Sequence, residues 1–169
     1  MRELILGGVR SGKSGHAESL ARASGKEVVY IATATAADDE MAARIAHHRS
    51  DRPGYWTTIE EPLALARVLT EEAAAGRCLI VDCLTLWLTN LLLDDDPDRL
   101  EREQAALLAA LPGLPGRIIL VSNETNLGVV PMDALSRRFC DTAGRLHQQL
   151  GQLCERVTLM VAGLALEVK

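Results

Sequence analysis

Apolar residues along this chain fall into two alternating rhythms. Short continuous runs occupy Glu3–Leu6, Glu27–Ala32, Cys78–Asp82, Arg117–Ser122, Arg156–Val161 and Ala165–Val168. Runs of this length without polar alternation suit strands buried on both faces. Between them lie segments with helical periodicity: Lys13–Ala23, Asp39–Arg49, Pro62–Ala75, Leu84–Leu93, Arg99–Leu111 and Asp133–Leu153. The alternation predicts an α/β fold, a mostly parallel sheet with helices on both faces. The last two strands are separated by little more than Gly163, too short for a crossover, so they are expected to pair as a hairpin and leave one antiparallel strand at the edge. Gly25-Lys26 and Gly76 read as helix stops. Asp94-Asp95-Asp96-Pro97-Asp98 reads as a solvated loop that opens the next helix. No repeat, low-complexity linker or composition break divides the chain, so one domain is expected over residues 1–169.

The first strand runs straight into Gly7-Gly8-Val9-Arg10-Ser11-Gly12-Lys13-Ser14, and the first helix follows. This is the phosphate-loop spacing G-x-x-x-x-G-K-[ST] in its strand–loop–helix context. Gly7 and Gly12 can take backbone angles closed to other residues, so the loop can curl around an anion. Its N–H groups and the helix N-terminus then point at phosphate oxygens. Lys13 can reach the β- and γ-phosphates, and Ser14 can ligate Mg²⁺. The plainer alternative is a glycine-rich turn with a surface lysine. With the strand–helix alternation, the motif predicts a single-domain P-loop NTPase-like fold. Asp82 closes an apolar strand expected beside the first. There it can help hold Mg²⁺, or simply cap the following helix.

Composition narrows the partners. The formal net charge is −5 and no block of lysine or arginine stands out, which argues against a nucleic-acid partner. Aromatic residues make up 3%, too few for base-stacking platforms. No apolar run is long enough to span a membrane, since Thr85, Thr89 and Asn90 interrupt Leu84–Leu93. No basic stretch followed by an apolar one marks a signal peptide. Cys78, Cys83, Cys140 and Cys154 lack C-x-x-C spacing, so free thiols in a reducing cytoplasm are expected.

One further segment carries candidate chemistry. In Asp38–Pro53, Met41, Ile45 and His48 fall on one helical face, while His47 is rotated away from that stripe and is freer to meet a ligand. On spacing alone, a His-His pair near basic residues is most often a solvated helix end. No third and fourth ligand stand nearby in sequence, so zinc is not expected. Leu86, Trp87, Leu91 and Leu92 make an unusually apolar helix, which fits either a subunit contact or burial within one chain.

Read together, these stretches resemble the bifunctional adenosylcobinamide kinase/adenosylcobinamide-phosphate guanylyltransferase family of cobalamin biosynthesis. The matches are Gly7–Ser14, Tyr30-Ile31-Ala32-Thr33-Ala34, Asp39–His48, Arg52-Pro53 with Trp56, Asp82-Cys83-Leu84-Thr85, Asn90-Leu91-Leu92, Ser122-Asn123-Glu124, Gly128-Val129-Val130-Pro131, Arg138-Phe139, Asp141 and Gly144-Arg145. They run in order along nearly the whole chain. The resemblance implies that His47 is a covalent nucleophile that takes GMP from GTP, a role suited to an imidazole. It implies ATP or GTP as phosphoryl donor, Mg²⁺ held at Ser14 and Asp82, and adenosylcobinamide and its phosphate as acceptors. It implies nucleotide contacts at Thr33, Ala34 and Thr35, at Ser50, Asp51, Arg52 and Pro53, and at Glu60 or Glu61. It also implies a homo-oligomer, a trimer with the corrinoid between subunits. On local grounds alone Thr33–Thr35 is a polar turn, Arg52 a surface cation, and Glu61 a carboxylate favouring the helix start at Pro62. The chain departs from the family pattern at Val9, at Gly15-His16 and at Thr125-Asn126-Leu127. A kinase of other specificity and a GTP-dependent switch remain the alternatives.

Overall fold

The computed structural model describes residues 1–35 and 53–169. Strands β1 (Arg2–Gly7), β2 (Glu27–Ala32), β3 (Thr57–Glu60), β4 (Arg77–Asp82), β5 (Arg117–Asn123), β6 (Arg156–Val161) and β7 (Leu164–Glu167) form one sheet in the order β3-β2-β4-β5-β1-β6-β7. All neighbours are parallel except β6 and β7. The α-helices of the described residues are α1 (Lys13–Ala23), α2 (Leu65–Glu72), α3 (Leu84–Leu92), α4 (Arg99–Ala110) and α5 (Ala134–Leu153). None is long and apolar enough to cross a membrane. The expected helix Asp39–Arg49 lies outside the described residues.

The continuous apolar runs arise because alternate residues of each central strand enter different cores. Leu4, Val29, Ile31, Leu79, Val81, Ile118 and Leu120 pack under α2, α3, α4 and α5. Ile5, Val28, Tyr30, Cys78, Ile80, Ile119 and Val121 pack on the opposite face with Ala17 and Ala21 of α1 and with Trp56. The apolar helix α3 belongs to the first of these cores. Trp87 and Leu88 are fully buried, and the Trp87 indole donates to Leu63 O at 2.7 Å. Burial within the chain therefore accounts for Trp87 and Leu91, while Leu86 and Leu92 are half-buried.

Three differences from the sequence reading matter. First, β3 was not expected. It is a four-residue edge strand with Ile59 as its one large apolar residue, and the ladder to β2 rather than burial defines it. Second, α2 spans Leu65–Glu72, shorter than Pro62–Ala75, because Glu61 turns the chain ahead of it. Third, β5 stands between β1 and β4, so the strand of Asp82 is one removed from the first strand rather than beside it. The hairpin expectation holds. Ala162 and Gly163, at φ 52° and 81°, form a two-residue turn of the kind whose twist matches antiparallel strands.

Candidate functional site

Because β1 to β6 run parallel, their carboxyl ends gather at one edge of the sheet, where ligands of open α/β sheets bind. Gly7, Ala32, Glu60, Asp82 and Asn123 close five of these strands there.

The phosphate loop leaves β1 through a backbone only glycine tolerates. A Cβ on Gly7 would lie 2.6 Å from both Met160 O and Ser11 Oγ. Gly12, at φ 96°, stands at the N-terminus of α1 and lets the chain turn into it. The loop is fastened from three sides. Ser11 N–H donates to Gly8 O at 3.2 Å, Glu124 N–H to Gly7 O at 3.0 Å, and Gly163 N–H of the hairpin turn to Ser11 O at 3.0 Å. The Ser11 hydroxyl is buried with no hydrogen-bond partner among the described residues. A buried hydroxyl without a partner at the N-terminal end of a helix is available to an incoming acceptor.

Lys13 is 8% exposed, and its ammonium donates to Gly8 O at 2.6 Å. Burial pulls its pKa below the ordinary 10.5, opposed by the charge of Asp82. The two side chains thus share one electrostatic site although β5 separates their strands. Asp82 Oδ2 accepts from the Tyr30 hydroxyl at 2.7 Å, which aims the carboxylate. Burial, with the neighbouring Asp82 charge, pushes the Cys83 thiol up to about 11. It is therefore a neutral wall residue rather than a nucleophile.

Thr33 is fully buried. Its hydroxyl donates to Cys83 O at 2.7 Å and accepts from Cys83 N–H at 2.9 Å, tying the end of β2 to the end of β4. A nucleotide contact through that hydroxyl would have to displace these bonds. Asn90 of α3 braces the same turn, donating to Thr33 O at 2.8 Å and to Pro62 O at 3.1 Å. Ala34 is half-buried, and Thr35 is exposed with its hydroxyl 3.3 Å from Asn90 Oδ1.

The unexpected β3 carries Glu60 and Glu61 to this edge. Glu60 pairs with Ala32 in register, and Glu61 N–H donates to Ala32 O at 2.9 Å. Glu61 Oε1 accepts from the N–H groups of Leu63 and Ala64 at 2.9 and 2.8 Å, and Oε2 accepts from Arg67 at 2.7 Å. Partial burial works against the charge, but those backbone donors and the guanidinium outweigh it and hold the carboxyl below its ordinary range. The local alternative, a carboxylate serving the helix start, is therefore present in the structure. Pro53 is half-buried, and its carbonyl accepts from Trp56 N–H at 3.0 Å. His47, Ser50, Asp51 and Arg52 lie outside the described residues.

Several polar residues at this edge had no assigned role. Ser122 is 1% exposed and lies 2.8 Å from His147 Nε2, with the Thr85 hydroxyl 3.4 Å away on another side. Thr85 in turn accepts from Asn123 N–H at 2.7 Å. Burial lowers the His147 pKa, with Glu124 opposing. Polar residues closing apolar strands were the available signal for Ser122. His147 sits inside a long amphipathic helix and gave none. Beyond Asn123, the loop of residues 124–133 and α5 enclose a cleft of about 400 Å³.

The family model described as cobinamide kinase / cobinamide phosphate guanyltransferase matches residues 3–168. The bifunctional adenosylcobalamin biosynthesis protein CobP of Pseudomonas aeruginosa is 66% identical over 169 residues, covering 100% of this chain and 98% of that protein. The bifunctional adenosylcobalamin biosynthesis protein CobU of Escherichia coli is 41% identical over 182 residues, covering 100% of both. Among solved structures, the P4 protein of bacteriophage phi6 in complex with ADP superposes with a TM-score of 0.51 at 16% identity. That match covers 97% of this chain and 52% of the phage chain. The RadB recombinase superposes with a TM-score of 0.52, also at 16% identity, covering 94% of this chain and 73% of that one. These two likenesses bear on the fold, that of P-loop NTPases.

Proposed function

The chain belongs to the cobinamide kinase / cobinamide phosphate guanyltransferase family of cobalamin biosynthesis, and from that premise we propose how its own residues divide the two reactions. In the first, a nucleoside triphosphate phosphorylates the aminopropanol hydroxyl of adenosylcobinamide. In the second, a neutral His47 imidazole attacks the α-phosphorus of GTP and a P–N bond forms as the bond to the β-phosphate oxygen breaks. Pyrophosphate leaves. A phosphate oxygen of adenosylcobinamide phosphate then attacks the same phosphorus, the ring departs, and adenosylcobinamide-GDP results. The observation that carries this reading is a fastened phosphate loop inside a chain that matches the family from residue 3 to residue 168.

Several of the described residues have a part in it. The N–H groups of the loop and of the first turn of α1 face the phosphates, and the orphaned Ser11 hydroxyl gains an acceptor there. Lys13 leaves Gly8 O for a phosphate oxygen, trading a neutral acceptor for an anionic one. The hydroxyl of Ser14 and the carboxylate of Asp82 are hard oxygen donors, the set Mg²⁺ prefers. When bound, Mg²⁺ supplies charge neutralisation at the phosphates. Tyr30 keeps Asp82 turned toward that place. Glu61 offers an ionised carboxylate to the N–H edge of guanine, sharing oxygens already engaged at the start of α2. The same reading makes the protein a cytoplasmic homo-oligomer, a trimer. The exposed edge strand β7, with Leu164 74% and Leu166 58% exposed, suits such a contact.

The test is intact-mass spectrometry after incubation with GTP and Mg²⁺. A GMP-sized increment is expected, absent in His47→Ala, with phosphorylation of cobinamide largely retained in that variant. No increment in the folded wild type defeats the proposal. So does an increment that survives His47→Ala but disappears in His48→Ala or His16→Ala.

A further inference from the structure

The cleft beyond β5 is lined by residues that the reading above leaves without a part. Its loop starts where the phosphate loop starts. Asn123 lies opposite Gly7 in register, and Glu124 N–H donates to Gly7 O. The loop is then pinned across α5. Asn126 Nδ2 donates to Cys140 O at 3.1 Å, and the Arg137 guanidinium donates to Pro131 O at 3.1 Å and to Met132 O. Gly144 permits this approach, because a Cβ there would lie 2.7 Å from Asn126 Nδ2. Asp133 caps α5 by accepting from Ser136 N–H at 2.8 Å.

What the loop presents does nothing for the core. Val129 is 95% exposed, Val130 72%, and the flanking Leu127 and Met132 are 82% and 96%. Opposite them on α5, Arg145 is exposed and has no ion pair among the described residues. Amide groups of Asn126 and Gln148, the Arg137 guanidinium and the Asp141 carboxylate also line the cleft, and no aromatic ring stands among the lining residues to stack on a nucleobase. A volume of about 400 Å³ is within the range of small-molecule sites.

We propose that this cleft is the docking site of the corrinoid acceptor, with Arg145 facing the phosphate the acceptor carries between the two reactions. The proposal rests on the function assigned above and names the place where its second substrate binds. A corrinoid is a wide ring fringed with methyl groups and primary amides, bearing a pendant arm with a hydroxyl. The exposed Val129 and Val130 meet methyl groups, and Asn126 and Gln148 pair with amides. Arg145 recognises a phosphate through its fork of N–H donors. The cleft is smaller than the whole ring, so it grips the edge that bears the arm. The pinned loop then delivers that arm toward Gly7, where the phosphate loop begins.

Two variants test it, Arg145→Met and Val129→Asp, the latter at a position whose exposure keeps folding out of the outcome. KM values for cobinamide and for nucleotide are measured in the phosphorylation reaction. Binding of cobinamide and of cobinamide phosphate is followed by equilibrium dialysis through the visible absorbance of the corrin. Oligomeric state is read by light scattering. At least a tenfold weaker interaction is expected with cobinamide in Val129→Asp and with cobinamide phosphate in Arg145→Met, with the nucleotide KM within twofold of wild type. An unchanged affinity for cobinamide in Val129→Asp, or for cobinamide phosphate in Arg145→Met, overturns the proposal. So does an equal rise in the nucleotide KM, which makes the cleft part of the nucleotide site. A changed oligomeric state with unchanged cobinamide binding also overturns it, marking the loop as a contact between copies. If wild type binds cobinamide and Val129→Asp does not, yet no phosphorylation is seen, the cleft stands and the assigned reaction fails.

Discussion

Lys13 is the residue whose chemistry is most exposed to test. It is nearly buried, depressed in pKa and folded back onto Gly8 O, so its charge already lies inside the loop. Removing it takes one preorganised cation from the phosphates of every nucleotide the loop receives. Lys13→Ala is therefore expected to slow both half-reactions by roughly 100-fold or more, the scale of a lost preorganised donor. Steady-state rates of phosphorylation and guanylylation check this, and loss of one with the other intact would contradict a shared phosphate site. A second prediction concerns His147. Burial lowers its pKa below 6.5, so the folded protein keeps the ring neutral while the unfolded chain takes up a proton as pH falls through that value. Stability is then complete above about 6.5 and declines below it, by at most about 1.4 kcal/mol per pH unit, until the folded pKa is passed. Denaturant midpoints from pH 7.5 to 5.0 should show this slope, and His147→Phe should flatten it. The contrast between the two residues shows what was legible. Lys13 lies in a motif whose spacing is its meaning. His147 acquires its partner Ser122 through packing of α5 on β5, a contact 25 residues apart that local pattern does not encode.

At the scale of elements, the strands were readable because the central ones are buried on both faces and so appear as unbroken apolar runs. The exception is β3, whose side chains are exposed or half-buried and whose place is set by backbone pairing with β2. It mattered, because it carries Glu60 and Glu61 to the edge where the phosphate loop and Asp82 lie. The attachment of α1 to the sheet was hidden for a similar reason. Glu3 is 2% exposed in a run otherwise apolar, and both its oxygens accept from Arg117 at 2.9 Å. Arg117 also donates to Leu20 O of α1 at 3.0 Å. One guanidinium thus joins β1, β5 and the helix that starts at the phosphate loop. Arg117→Met leaves the Glu3 carboxylate buried and unpaired, which is expected to cost about 3–5 kcal/mol. Glu3→Gln with Arg117→Met should recover much of that loss, since both charges are then gone. Chemical denaturation of the two variants measures it, and a double variant no more stable than Arg117→Met would show that the pair is not what matters.

The whole molecule joins two sites along one edge of a sheet, and ligand-linked stability can separate them. A nucleotide that binds the folded chain and not the unfolded one stabilises it by RT ln(1 + [L]/Kd), about 2.7 kcal/mol at a hundredfold excess over Kd. For a chain of 169 residues each kcal/mol moves Tm by roughly 2–4 °C, so GTP at that excess should raise Tm by about 5–11 °C. The fastening of the phosphate loop predicts how variants change this. Lys13→Ala removes a phosphate contact and should lose most of the GTP shift. Arg145→Met alters the cleft and not the loop, so its GTP shift should match wild type. The hairpin turn supplies the discriminating case. Gly163 N–H donates to Ser11 O, and Gly163 sits at φ 81° where a side chain is strained. Gly163→Val should lower Tm without nucleotide and also shrink the GTP shift, because the turn holds the loop it touches. Thermal scans of these variants with and without GTP decide the matter. If Gly163→Val lowers Tm but keeps the full GTP shift, the loop's shape owes nothing to the hairpin, and its rigidity must come from Gly8 and Glu124 alone.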